Sequence, residues 1–316
     1  MRILAAAGLP FARWCTVAVI ASAAAVVSQD APKPIAGALP VAGGELHYEV
    51  RGDGPPIVLL SGGPGFGNYL QPVAETLASG HRCILFDQRG TGDSQSEKPD
   101  TGSLTLANAI ADLEALRVHL ALDRWSLLGH SWGGMLAMAY ATQHADRLDS
   151  LVLIDTGGPT LEFVGPFGDT LAGRATPEDV AALAKLDEPQ AAAKDPDLAA
   201  KERMRVRFPA YFYSREKAAA AWPAFAKVPY SPTTFRALMA DLQRQKFDLR
   251  AGLAQVRCRT LVVHGRQDPI PASVVYEIRD AMPQLELRFI EKSGHFPWLE
   301  QPEETWRVLR AFFERR

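Results

Sequence analysis

The chain has 316 residues, 47% of them hydrophobic and 22% charged, with a formal net charge of −2. That is ordinary globular composition, long enough for one large domain or two small ones. The near-neutral charge excludes the basic footprint that nucleic-acid binding requires, and the chain shows neither internal repeats nor a long low-complexity tract.

Taken in chain order, the first feature is a short apolar run. Arg2 and Arg13 precede residues 14–27, which are apolar and end in small residues. A positive region, a short apolar region and then small residues is the pattern of a secretory signal. The run is shorter than the ~20 residues a membrane span needs. Residues 1–30 are therefore expected to be a signal peptide and linker, cleaved after Ala23 or Ala25, with an uncleaved anchor as the alternative. The product would be periplasmic or extracellular, with no membrane contact after cleavage. Cys15 lies inside the apolar run, a poor place for lipid attachment. Ala31-Pro32-Lys33-Pro34 reads as extended linker.

Residues 45–50 then read as an antiparallel edge strand, and residues 57–60 as a buried strand running into Ser61-Gly62-Gly63-Pro64-Gly65. Glycines there let the backbone turn an amide into a site. The loop is no phosphate cradle, for it has neither Gly-x-Gly-x-x-Gly nor Gly-Lys-Ser/Thr. Residues 83–86 form a strand ending at Asp87. Residues 125–128 form another, followed by Gly129-His130-Ser131-Trp132-Gly133 and a helical stretch from Gly134. Strand, sharp turn, helix is the context of a nucleophile elbow, with glycines where a Cβ would crowd the turn.

A nucleophilic serine needs a base, and the base an orienting acid. Downstream, strand 260–263 leads to Asp268, and strand 285–290 leads to His295. Both fall just past the C-terminal ends of strands, where parallel sheets place their sites. The order Ser131, Asp268, His295 is the one this elbow calls for. Asp87 and Asp155 compete for the acid role, but each precedes a turn and reads as its cap. His47, His81, His119, His144 and His264 have no acid-and-nucleophile context, and His130 is expected to pack beside the nucleophile. The amides of Trp132 and Gly63, with Gly62 as the alternative, would hold an oxyanion, each donor contributing about 3 kcal/mol.

These motifs carry a resemblance. Gly62-Gly63-Pro64-Gly65, Asp87-Gln88-Arg89-Gly90-Thr91-Gly92-Asp93-Ser94, Gly129-His130-Ser131-Trp132-Gly133-Gly134, His264-Gly265-Arg266-Gln267-Asp268 and Gly294-His295 together make the chain similar to α/β-hydrolase fold proteins. Within that fold it resembles the prolyl iminopeptidase family. The resemblance covers roughly residues 41–156 and 251–316. It implies an α/β fold with a mostly parallel eight-stranded sheet flanked by helices and a helical lid inserted into the core. It also implies a serine hydrolase releasing N-terminal proline from a small molecule or short peptide, without cofactor or metal. A carboxylesterase or lactonase is the alternative enzyme. A ligand-binding homologue without activity is the alternative of another class.

Residues 31–156 and 251–316 are thus the expected core, and residues 157–250 the lid. The lid segment is rich in alanine and strong helix formers; Thr176-Pro177-Glu178-Asp179 and Ser231-Pro232 read as helix starts. Its aromatics Phe208, Tyr211, Phe212, Tyr213, Trp222 and Phe225 are expected mainly as lid core. Its glutamates, Glu178, Glu188, Glu202 and Glu216, are expected mainly on solvated faces. Cys83 and Cys258 begin strands several positions apart, too far for the ~7 Å a disulfide spans, so both are expected free and largely buried. The oligomeric state is left open.

Overall fold

The computed structural model describes residues 34–94, 100–188 and 196–315. The expected signal peptide and its cleavage sites lie outside them. Among the described residues no helix is long and apolar enough to cross a membrane.

Eight strands form one sheet: β1 (Ile35–Val41), β2 (Gly44–Arg51), β3 (Pro56–Leu60), β4 (Arg82–Phe86), β5 (Trp125–His130), β6 (Leu148–Ile154), β7 (Arg259–Gly265) and β8 (Glu286–Ile290). Their order is β1-β2-β4-β3-β5-β6-β7-β8. The β1–β2 and β2–β4 pairs are antiparallel, and all the others are parallel. Ile57, Val58, Leu59 and Leu60 are all fully buried, as expected of a parallel strand covered on both faces. Alternation sorts them into two layers. Val58 and Leu60 pack with the helices Leu106–His119, Trp132–Gln143 and Ser273–Ala281. Ile57 and Leu59 pack with the helices Gln71–Leu77 and Pro302–Glu314.

Two sequence expectations change here. The edge strand is β1, not the strand over residues 45–50, because residues 35–41 pair antiparallel with β2 along its whole length. Cys83 and Cys258 are both free, as expected, with β3, β5 and β6 between their strands. However, only Cys83 is buried. Cys258 precedes β7 by one residue and stays half exposed.

Between β6 and β7 the strand–helix alternation gives way to helices, from Val164–Gly173 to Arg250–Leu253. Thr176 caps one of them with a full capping box to Asp179, and Ser231 caps another by accepting from the Thr234 amide. The insertion is tied to the Gly-rich loop after β3. Ser231 N donates to Gly65 O at 2.8 Å, and Gly67 N donates to Pro229 O at 2.9 Å.

Candidate active site

Ser131 sits between the end of β5 and the helix Trp132–Gln143, with φ 56° and ψ −121°. For a residue with a Cβ this is a strained conformation, costing about 1–3 kcal/mol. Close packing enforces it. A Cβ on Gly133 would lie 2.0 Å from Leu60 O, so only glycine lets the elbow seat against β3. The strain turns the Ser131 side chain towards a cavity of about 670 Å³.

Gly63, Ser131, Trp132 and His295 all line that cavity. Asp268 lies behind His295. The Nδ1–H of His295 donates to its carboxylate at 3.0 and 3.1 Å, which leaves Nε2 as the free basic nitrogen. Four of the five residues expected at the site therefore share one cavity, and the fifth orients one of them. Gly63 has φ 127°, a conformation that favours glycine. Among the described residues neither the Gly63 nor the Trp132 amide donates to a protein acceptor. The Gly62 amide, by contrast, donates to Tyr69 Oη at 2.7 Å. That selects Gly63 over Gly62 as an available donor.

The loop carrying His295 is held by a residue that carries no sequence signal. Glu300 is fully buried, and its carboxylate accepts from the amides of Gly294 (2.6 Å), Ser214 (2.9 Å) and Tyr213 (3.2 Å). It thereby joins the base loop to the helical insertion. The His295 amide adds a bond to Tyr211 O at 2.8 Å.

Two competing residues behave differently from expectation. Asp87 caps its turn, accepting from the amides of Asn68 and Asp93. Asp155 does more than cap a turn. It accepts from the Gly265 amide at 2.7 Å and lies against His264 and Asp268. His264, expected to lack an acidic context, has two acids: its Nδ1 is 3.4 Å from Asp155 Oδ1 and 3.8 Å from Asp268 Oδ2. Both corrections arise because β6 and β7 are neighbours, which brings their C-terminal ends together.

This buried group is short of a hydrogen. His264 Nε2–H donates to Ile270 O, so Nδ1 presents a lone pair. Neither that atom nor Asp155 Oδ2 has a hydrogen-bond partner of ordinary geometry. Among the described residues this is the one set of His, Asp or Glu donors, within 4.8 Å of one another, of a size to hold a metal ion. One proton satisfies it equally. Asp268 accepts from Ile270 N and His295, and Arg174 favours its charge, so it is the ionised partner. Burial and the neighbouring Asp268 push Asp155 well above the carboxylate range, and it holds the proton. Burial pushes His264 down to about 4 and His295 down to about 3, so both are neutral, as a base must be.

The Asp155 proton has a consequence for stability. A carboxyl raised on folding contributes fully below its unfolded value of ~3.9 and loses that contribution as pH rises, by up to about 1.4 kcal/mol per pH unit. Asp155→Asn keeps a neutral side chain but abolishes the titration. Its stability relative to the wild type is expected to climb between about pH 4.5 and 7. Urea midpoints at the two ends of that window measure this, and a constant difference would argue against a proton on Asp155.

Fold and site together define a class, and comparison with known proteins agrees. The alpha/beta hydrolase fold profile matches residues 55–302, and the chain belongs to the α/β-hydrolase fold family. A proline iminopeptidase from Lactobacillus helveticus is 41% identical over 128 residues, 39% of this chain and 44% of that protein. The match thus spans less than half of that relative. One from Heyndrickxia coagulans is 28% identical over 293 residues, covering 87% of this chain and 97% of its own. A cis-3-alkyl-4-alkyloxetan-2-one decarboxylase from Shewanella oneidensis is 39% identical over 118 residues, 36% of each chain. Among solved structures, a proline iminopeptidase-related protein from Thermus thermophilus superposes with a TM-score of 0.67 at 24% identity, over 90% of this chain and 98% of its own.

Proposed function

We propose that this hydrolase cleaves esters of apolar carboxylic acids through an acyl-enzyme. Ser131 Oγ attacks the carbonyl carbon as its proton passes to His295 Nε2. The Asp268 carboxylate orients His295 and stabilises the imidazolium that forms. The Gly63 and Trp132 amides take the developing oxyanion. His295 then protonates the leaving alcohol, and water hydrolyses the acyl-enzyme by the same route.

The observation that carries the ester reading is the chemistry of the cavity wall. Phe66, Phe163, Phe167, Phe225 and Met239 line it. Its one carboxylate is Asp179, which is already engaged by the Thr176 amide and by Arg215. Arg203, Arg207 and Arg236 line the same space, so a substrate ammonium would meet like charge. Glu178, Glu188, Glu202 and Glu216 do not reach the cavity. Of the lid aromatics, Phe208, Tyr211 and Phe225 do reach it, while Phe212 packs on Phe296 and Tyr213 is exposed.

The second reading is release of N-terminal proline, supported by the iminopeptidase relatives from Lactobacillus and Heyndrickxia. A site of that kind holds a free amine by a buried carboxylate, and capping the amine would cost about 3 kcal/mol or more. Turnover of p-nitrophenyl butyrate, prolyl-β-naphthylamide and N-acetyl-prolyl-β-naphthylamide separates the two. The ester is expected to be the good substrate, with little difference between the capped and free amides. Fast cleavage of the free prolyl amide, lost on acetylation, would establish the peptidase reading instead.

A further inference from the structure

The mechanism above leaves two buried polar side chains without a task, Tyr69 and His130. They are joined to each other and to both halves of the catalytic machinery. The Gly62 amide donates to Tyr69 Oη at 2.7 Å. Tyr69 Oη and His130 Nδ1 are 2.5 Å apart, and His130 Nε2 lies 2.7 Å from the carbonyl oxygen of His295.

Chemistry fixes the direction of every bond. A carbonyl oxygen only accepts, so His130 Nε2 carries the hydrogen. Burial pushes His130 well below its ordinary range, as does the neighbouring His295, so the ring is neutral and Nδ1 must accept. Tyr69 therefore donates to His130, and burial raises the phenol's pKa so that it keeps its proton. The chain reads Gly62 N–H to Tyr69, Tyr69 O–H to His130, and His130 N–H to the His295 carbonyl. No donor or acceptor in it is left over or doubled.

Its ends explain its position. One end is the residue before Gly63, whose amide faces the cavity. The other is the backbone of His295. The middle member, His130, is the residue before Ser131. A single chain of hydrogen bonds thus spans the oxyanion loop, the nucleophile elbow and the base loop, three segments far apart in sequence.

We propose that Tyr69 and His130 are positioning residues that set the distance between the oxyanion-hole amide and the catalytic histidine. The inference rests on the serine-hydrolase reading of the site. Neither residue needs to touch the reacting atoms. Displacement of Gly63 or His295 by a fraction of an ångström weakens the transition state more than the bound ground state.

The test is the reaction of the full-length protein with a fluorophosphonate, which requires a competent site but no knowledge of the substrate. Tyr69→Phe keeps the ring and its contacts with Phe66, Phe225 and Phe296 while removing the hydroxyl. Its maximal labelling rate is expected to fall roughly 10- to 100-fold, somewhat less than for loss of an oxyanion donor itself. The concentration for half-maximal rate should stay within about twofold, as for a loss confined to the transition state. His130→Gln keeps a donor for the His295 carbonyl and loses the ring acceptor for Tyr69, so it should show a similar loss. The double variant should be no worse than the poorer single one, because both cut the same chain.

A labelling rate for Tyr69→Phe within threefold of wild type would overturn the proposal, as would losses that multiply in the double variant. Failure of the wild type to label at Ser131 would instead overturn the serine-hydrolase reading, so the two failures are distinguishable.

Discussion

Ser131→Ala is expected to lower turnover by about 10⁴-fold or more, the scale of nucleophile loss in triad enzymes, and to abolish fluorophosphonate labelling. Stability should change little. Alanine keeps the Cβ, so it keeps both the packing and the strained φ of 56° at the elbow. The labelled peptide, identified by mass spectrometry, should contain Ser131 and no other modified serine. Ser61, Ser94 and Ser293 are also buried near the site loops, but none lines the cavity. Labelling at any of them, or retained turnover in the alanine variant, would remove Ser131 from the mechanism.

Much of this site was legible in the sequence because its parts are local. An elbow is a strand, a tight turn and a helix within a dozen residues, and its glycines are dictated by contacts such as Gly133 against Leu60 O. Asp268 and His295 each stand a few residues past a strand end, so the sheet alone brings them together. The helix starts at Thr176 and Ser231 were legible for the same reason, since a cap is read within four residues.

The missed residues work across long separations. Tyr69 is an ordinary tyrosine before a helix, and its partner His130 is 61 residues away. Glu300 has no motif, and the amides it holds at Tyr213 and Ser214 are more than 80 residues upstream. The role of β1 was hidden because Ile35-Ala36-Gly37-Ala38-Leu39-Pro40-Val41 lacks a clear alternation. It becomes a strand by pairing with β2, in keeping with the context dependence of β propensity. Asp155 and His264 read as bystanders because nothing local shows that β6 and β7 end side by side.

That adjacency makes the two aspartates the sharpest test of the site's electrostatics. Asp268→Asn is expected to lower turnover by about 10⁴-fold, the cost when the orienting acid of a triad becomes an amide. The amide removes the negative charge that stabilises the His295 imidazolium. It also allows the wrong imidazole tautomer, because an N–H of the new side chain can face Nδ1. Asp155→Asn should cost less than about tenfold. Asp155 is already the protonated partner, so the change replaces one neutral hydrogen-bonding group by another and leaves the Asp268 charge in place. Both side chains are buried against the same histidine, His264, so burial alone would give comparable losses. Only the location of the proton separates them. Steady-state turnover of the two variants at pH 7.5 measures the difference. The reverse ranking would transfer both the charge and the orienting role to Asp155.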